Sequence, residues 1–424
     1  MNAMQTQTGT STVQTIKLAC GMPLIVEPSD TVASAALTWL LPVGSAADPH
    51  DGDGYSALLS ELLFRGAGNL TSREFSDALD RLGVQRASSV GTYHMSISVT
   101  MLGDRLLDAL PLIVQMVRQP TLDPEALNAV RSLCVQELES LNDDPQHLVM
   151  LRLREHHLPA PFNRHGYGDE QVLNHASAEQ LREHWHRRAV PGGSILAVAG
   201  AVDPQALNEA LDRELDGWTG DAPEPTEQQP AERGSHHDTQ ETAQVHLGLA
   251  CDAPPEADEN AMLDRLAIGV LSGGTSGRLF TEVRQKRGLC YSVGASYRTT
   301  RDWGNIRMYA GTTPQRAQET LDVCVEEFEK MRAGATQQEF DRATIGLKSK
   351  LIMQGESTGA RSGALASDYF RLGRARSFDE LAGEIDAVSL DQLNTYLASR
   401  RFSPLTMACI GPTALQMPEH AEAT

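Results

Sequence analysis

Chemistry in a 424-residue chain has to come from imidazoles, carboxylates or thiols set at workable spacings, and this sequence holds few such sets. Its only local histidine groupings are His156-His157, His184-Trp185-His186 and His236-His237. None has a second histidine four positions on, the spacing that puts two metal ligands on one face of a helix, and adjacent histidines point in different directions. Ordinary surface positions are expected for them. Six cysteines, Cys20, Cys134, Cys251, Cys290, Cys324 and Cys409, are scattered without a CxxC pair and mostly in apolar runs. They read as buried free thiols of a reducing compartment rather than as a zinc knot or a redox pair. A G-x-S-x-G elbow, a phosphate loop and a dinucleotide fingerprint are all missing, and glycine-rich Gly273-Gly-Thr-Ser-Gly277 lacks the lysine that a phosphate loop requires.

The elements that would position any site follow from periodicity. Tyr93, Met95, Ile97 and Val99 alternate with polar neighbours and predict a half-buried strand, as do Tyr291, Val293, Ala295 and Tyr297. Thr71 and Glu74 form a capping-box pair, after which Phe75, Leu79 and Leu82 mark one apolar helix face and Gly83 ends the run. Similar punctuation recurs half a chain apart. Gly200 and Gly411 each end an apolar run, and Asp123 and Thr336 each open a helical pattern, at separations of 211 and 213 residues. Such recurrence predicts an internal duplication. Residues 216–243, rich in Pro, Glu, Gln, Gly and Ser, read as an exposed linker between a first domain over 1–215 and a second over 244–424. The fold class is α+β: two homologous halves, each a mainly antiparallel sheet with helices packed on one side.

Composition sets the outer limits. A formal charge of −20 repels nucleic acid and anionic membrane surfaces, so neither is expected as a partner. The stretch Met1–Thr15 is polar, without the basic start or apolar core of a secretory signal, and no run of about 18 apolar residues occurs. A cytoplasmic location is expected, or a periplasmic one if an export leader has been removed.

The segment Gly54-Tyr-Ser-Ala-Leu-Leu-Ser-Glu-Leu-Leu-Phe-Arg-Gly66, followed by the capped helix, resembles the signature region of the insulinase/pitrilysin peptidases, the family of the mitochondrial processing peptidase. Active members carry H-x-x-E-H there, two zinc-binding histidines and a glutamate that activates water. Here those positions hold Ala57, Ser60 and Glu61. The family's third ligand corresponds to Glu137, 76 residues after Glu61. Arg164-His-Gly-Tyr-Gly168 and the run Val190–Gly200 are also similar to the family. Ala57 has no donor atom and Ser60 cannot serve as a general base at neutral pH. Two carboxylates without imidazole make a poor zinc site, so no metal and no cofactor are expected in this chain.

The second half keeps what the first has lost. Leu271-Ser-Gly-Gly-Thr-Ser-Gly-Arg-Leu-Phe-Thr-Glu-Val-Arg284-Gln-Lys-Arg-Gly-Leu-Cys-Tyr291 resembles the family's second signature, in which an arginine and a tyrosine seven residues apart face the active site of another half. Leu279, Phe280 and Val283 would anchor a short helix, Gly288 would stop it, and Tyr291 would begin the next strand. A guanidinium and a phenol can donate to substrate carbonyls and to an oxyanion at the scissile bond. The resemblance therefore implies catalytic roles for Arg284 and Tyr291 in a zinc-free subunit of a heterodimeric metallopeptidase, inactive alone. Its partner would be a homologous H-x-x-E-H chain holding the zinc, and its substrate a peptide. The alternatives are a purely structural core-type subunit and a non-hydrolytic peptide-binding protein that uses a sheet edge.

Overall fold

The computed structural model describes residues 12–421. The polar N-terminal stretch read for its lack of a signal lies, up to Ser11, outside the described residues. The first half runs β1 (Gln14–Lys17), β2 (Pro23–Pro28), β3 (Ser34–Leu41), α1 (Tyr55–Leu62), the short hairpin β4 (Gly66–Ala67) and β5 (Leu70–Thr71), α2 (Ser72–Arg81), β6 (Gln85–Val90) and β7 (Met95–Leu102). Helices α3 (Leu106–Arg118), α4 (Pro124–Ser140), α5 (Pro145–His157), α6 (Glu170–His175) and α7 (Ala178–Arg188) follow, then β8 (Ile195–Gly200) and α8 (Pro204–Glu214). The second half runs β9 (Ser235–Thr239), β10 (Val245–Ala253), α9 (Ala261–Ser272), a π-helical segment Phe280–Lys286, β11 (Cys290–Thr299) and β12 (Gly304–Thr312). It continues through α10 (Ala317–Lys330), α11 (Gln337–Gly355), α12 (Thr358–Leu372), α13 (Phe378–Asp386) and α14 (Leu390–Ser399) to β13 (Thr406–Gly411).

Two sheets result, in the orders β1-β2-β8-β3-β7-β6 and β11-β12-β10-β13-β9. They are the same sheet twice. Strands β6, β7, β3, β8 and β2 take the places of β11, β12, β10, β13 and β9, and in each sheet a single pair is parallel, β2 with β8 and β9 with β13. The duplication anticipated from Gly200 and Gly411 is thus the duplication of β8 and β13, which they end, and Asp123 and Thr336 cap the matching helices α4 and α11. Local chemistry is as the pattern predicts. Thr71 and Glu74 close a capping box on α2, Phe75 and Leu79 are buried, and Met95, Ile97 and Val99 point into the first core from β7.

Each sheet carries the helices of its own half on one side, over a large apolar core. The other side of each is covered by one helix from the opposite half. Helix α5 lays Leu148, Val149 and Leu153 on Ala250, Ala408 and Ile410 of the second sheet. Its counterpart α12 lays Leu365 and Ala366 on Ile25, Ala197 and Ala199 of the first. Small residues on the crossed faces, Ala197, Ala199, Ala250 and Ala408, allow this close approach. Such double coverage explains why β8 and β13 are buried at every position.

The stretch 216–243, expected as an exposed linker, is only partly one. Trp218 packs edge-on against Trp39 at 5.7 Å, and Ser235–Thr239 forms β9 beside β13. Composition missed this strand because an edge strand is held by backbone pairing and can keep polar side chains. All six cysteines are free, five of them buried. Among the described residues no helix is long and apolar enough to cross a membrane.

Because α5 and α12 are exchanged, the halves should unfold together. Leu365→Ala, at a fully buried position of α12, is expected to lower stability by about 2–5 kcal/mol while urea unfolding stays a single transition. Separate loss of one half would show that the exchanged helices do not couple them.

Candidate functional site

Helix α1 is held in place before any chemistry is considered. Asp48, buried, accepts from the backbone N–H groups of Gly54 and Ser56, both at 3.0 Å, and from the Ser56 hydroxyl at 2.8 Å. These bonds satisfy donors at the helix N-terminus that would otherwise be orphaned. The Arg164 guanidinium fastens the same loop, donating to the carbonyls of Ser45, Asp48 and Pro49. Gly168, at φ +86°, lies so close to α1 that a Cβ there would stand 2.5 Å from Gly54 Cα. The Arg164–Gly168 motif is therefore a clamp on α1.

On α1 itself, Ala57, Ser60 and Glu61 share one face, as i, i+3 and i+4 must. The Ser60 hydroxyl, buried, donates to Ser88 Oγ on β6 at 2.8 Å, and Ser88 donates back to the Ser60 carbonyl at 3.2 Å. The position that resembles a catalytic base is thus tied into the sheet. Helix α4 packs on α1 and brings Glu137 near Glu61. Partial desolvation, then the Glu61 charge, push the Glu137 carboxyl above its ordinary range. Neither carboxylate has an imidazole to complete a set, and among the described residues no three His, Cys, Asp or Glu side chains gather as metal ligands. This donor set does not suit zinc.

Arg284 and Tyr291 lie in the second half. Leu279 and Val283, fully buried, anchor the π-helical segment, and the N–H groups of Gly288 and Leu289 bond back to the carbonyls of Arg284 and Val283. The Arg284 side chain is exposed, its guanidinium 5.0 Å from the centre of the Phe280 ring. Its neighbours Lys286 and Arg287 both pair with Glu282. Arg284 makes no ion pair among the described residues.

Tyr291 departs from the expected alternation. Val293, Ala295 and Tyr297 pack on the second core, but a β-bulge between Cys290 and Ser292 breaks the register and leaves Tyr291 62% exposed. A bulge re-aims the side chain it carries, and no periodicity rule reports one. The structure therefore brings Glu61 and Glu137 together in the first half and sets Arg284 and Tyr291 on the surface of the second. Among the described residues it records no contact between the two sets.

Sequence reasoning also missed Asp48, and its expectation of surface positions for the histidine groupings fails for His157 and His184, which the structure buries. The side chains of Asp48 and His184 are buried with His184 Nε2 3.6 Å from Asp48 Oδ1. Burial pushes Asp48 up to about 7 and, with Arg187 and Arg188, pulls His184 down to about 3. These residues lie 136 positions apart, so no local spacing could have joined them.

Comparison with known proteins places this geometry among relatives. Residues 24–167 match the family model described as insulinase (peptidase family M16), and residues 175–347 match the one described as the peptidase M16 inactive domain. An uncharacterized zinc protease of Bacillus subtilis is 24% identical over 405 residues, covering 93% of this chain and 97% of its own. One from Mycobacterium bovis is 27% identical over 404 residues, covering 92% and 91%. In fold, the chain is similar to a peptidase M16 inactive domain from Pseudomonas fluorescens, with a TM-score of 0.85 at 21% identity over 96% of this chain and 100% of the other. A protease from Helicobacter pylori has a TM-score of 0.85 at 18% identity, covering 94% and 99%.

The Asp48–His184 pair gives a pH signature. Between about pH 4 and 6.5 the folded pair holds one proton, and so do the same two groups when unfolded, with aspartate ionised and histidine protonated. Their contributions to the pH dependence of stability cancel in the wild type. Asp48→Asn leaves His184, whose lowered value destabilises the fold as pH falls, so stability should rise by about 1.4 kcal/mol per pH unit across this window. His184→Gln leaves Asp48, whose raised value gives the opposite slope. Denaturant midpoints between pH 4 and 6.5 check both signs, and parallel curves for the two variants would contradict the pairing.

Proposed function

Because the chain belongs to the M16, or insulinase, peptidase family, we propose that it is the zinc-free subunit of a heterodimeric metallopeptidase and lends Arg284 and Tyr291 to the zinc site of a homologous partner. One contrast carries this reading. In the first half the positions that resemble H-x-x-E-H are filled by Ala57, by a serine bonded into the sheet and by Glu61, whereas in the second an arginine without an ion pair among the described residues and a bulge-directed tyrosine are held outward by buried anchors. Exposed, unneutralised donors on a rigid base suit a role in another chain's active site better than a role in packing.

The partner's zinc would supply the activated water and polarise the scissile carbonyl. This chain would supply donors. Arg284, always charged, would bind substrate carbonyl oxygens and the negative charge that grows as the carbonyl becomes tetrahedral. Tyr291 would donate its phenolic hydrogen to the same region. Such donors act mainly in the transition state, so their loss should appear in kcat rather than in assembly. Glu61 and Glu137 have no task in this scheme beyond shaping the inner wall of their own half.

The test uses this chain mixed with a zinc-bearing homologue that carries H-x-x-E-H. Arg284→Ala and Tyr291→Phe should each lower kcat by roughly 10²–10³-fold, the range for removing one oxyanion donor, while the two chains still co-elute. Unchanged turnover in both variants would sink the assignment.

A further inference from the structure

A cavity of about 320 Å³ lies where the two halves meet, and neither Arg284 nor Tyr291 lines it. Tyr93 and His94, in the turn between β6 and β7, bound it from the first half, and Tyr369 and Phe370, at the end of α12, bound it from the second. Pro223 and Glu224 of the connecting stretch complete the wall. The rings pack on one another. The Phe370 centre is 5.1 Å from that of Tyr93 and, edge-on, 4.7 Å from that of His94. Seams of this size, with aromatic walls and a few polar groups, are where small ligands bind.

One cation of this wall has no carboxylate. Arg188, the last residue of α7 and 4% exposed, donates from Nε to the Pro42 carbonyl at 2.7 Å and from Nη1 to the Pro223 carbonyl. Its Nη2 has no acceptor, and its guanidinium no ion pair, among the described residues. Asp48 is near enough to act on its charge, but that carboxyl is taken up by Gly54 and Ser56. The cavity's other arginine differs. Arg301 is held by Glu224 at 2.8 and 2.9 Å and by Asp302 at 3.0 Å. A buried charge without a counter-ion is costly, and an anion in the cavity would relieve that cost at Arg188.

His94 supplies the opposite character. Its Nε2 lies 3.1 Å from the Gly193 carbonyl oxygen, which can only accept, so Nε2 carries the proton. Desolvation, aided by the charges of Arg188 and Arg301, pulls the imidazole down to about 4, and the ring is neutral near pH 7. In this tautomer Nδ1 is a bare acceptor, with no donor among the described residues. Aromatic walls, one unmatched cationic donor and one unmatched acceptor thus bound the same space. Glu224 lines it as well, which disfavours a doubly charged phosphate there.

We infer that the cavity between Tyr93, Arg188 and Phe370 binds a small aromatic monocarboxylate that also bears a hydrogen-bond donor. The ligand's ring packs among Tyr93, Tyr369 and Phe370, its carboxylate accepts from Arg188 Nη2, and its donor meets His94 Nδ1. Because both halves and the stretch between them supply the walls, occupancy ties them together and raises the unfolding midpoint. This site lies within one chain and does not rest on the composite zinc site, so its test needs no partner.

Isothermal titration calorimetry on the full chain tests it with indoleacetate and para-hydroxyphenylacetate, whose ring N–H and O–H are the donors. Each acid is compared with its neutral amide, which lacks the charge, and with the acid methylated at the ring donor. At least one acid should bind saturably, and its amide and its methylated form at least about tenfold more weakly. Arg188→Gln, which keeps an amide donor for the two carbonyls, should bring that acid and its amide within about twofold of each other. His94→Phe keeps a flat ring and should do the same for the acid and its methylated form. Circular dichroism shows whether each variant folds, and if Arg188→Gln does not, the amide comparison on the wild type and His94→Phe still decide. Absence of saturable binding by both acids, an amide or methylated form that binds as tightly, or selectivity that survives the matching substitution would each overturn the inference.

Discussion

The exchange of α5 and α12 is the contact on which the molecule depends. A sheet with two apolar faces cannot leave either in water, and the helices of each half cover only one. Lending one helix across solves the problem twice. Leu148, Val149 and Leu153 close the second sheet, Leu365 and Ala366 close the first, and neither half keeps its far face buried without the other. The two halves therefore hold a fixed relation, and each sheet ends on two outer strands, β1 and β6 in the first and β11 and β9 in the second.

That frame separates scaffolding from chemistry. Around α1 the scaffolding is complete: Asp48 satisfies the helix start, Arg164 ties its loop, and Gly168 permits the close approach. The side chains at the positions that resemble the family's motif depart from it, and Ser60 has been drawn into a bond with Ser88. The second half shows the converse, with a rigid base under side-chain donors that have no acceptor among the described residues. Leu279 and Val283 fix the π-helical segment, the bulge fixes Tyr291, and both functional groups reach solvent. On the proposed reading these are two surfaces of one device, divided between chains.

Much of this was legible from residue patterns, because it rests on local rules. The capping box at Thr71, the buried alternation from Met95, and the paired stops at Gly200 and Gly411 all depend on neighbours within a few positions. Strand β9 escaped because its pairing is backbone pairing, which leaves no mark in Ser235–Thr239. The direction of Tyr291 escaped because one inserted residue reverses a period-two argument without altering composition. The Asp48–His184 pair and the helix exchange escaped because they join residues far apart in the chain, and only the folded topology brings them together. For the site, the sequence offered a resemblance, in which Ala57, Ser60 and Glu61 depart from the family's motif and Arg284 and Tyr291 match it. The structure adds that Glu61 and Glu137 are neighbours and that Arg284 and Tyr291 are free to reach outward.

If this chain holds half of a composite active site, as proposed, peptide cleavage followed while it is titrated into a fixed amount of a homologue bearing H-x-x-E-H will reveal it. No cleavage is expected from this chain alone, even with added zinc, and activity should climb as it is added and level off at equal amounts of the two chains. Cleavage by this chain and zinc without a partner, or a partner whose activity ignores its addition, would contradict that proposal.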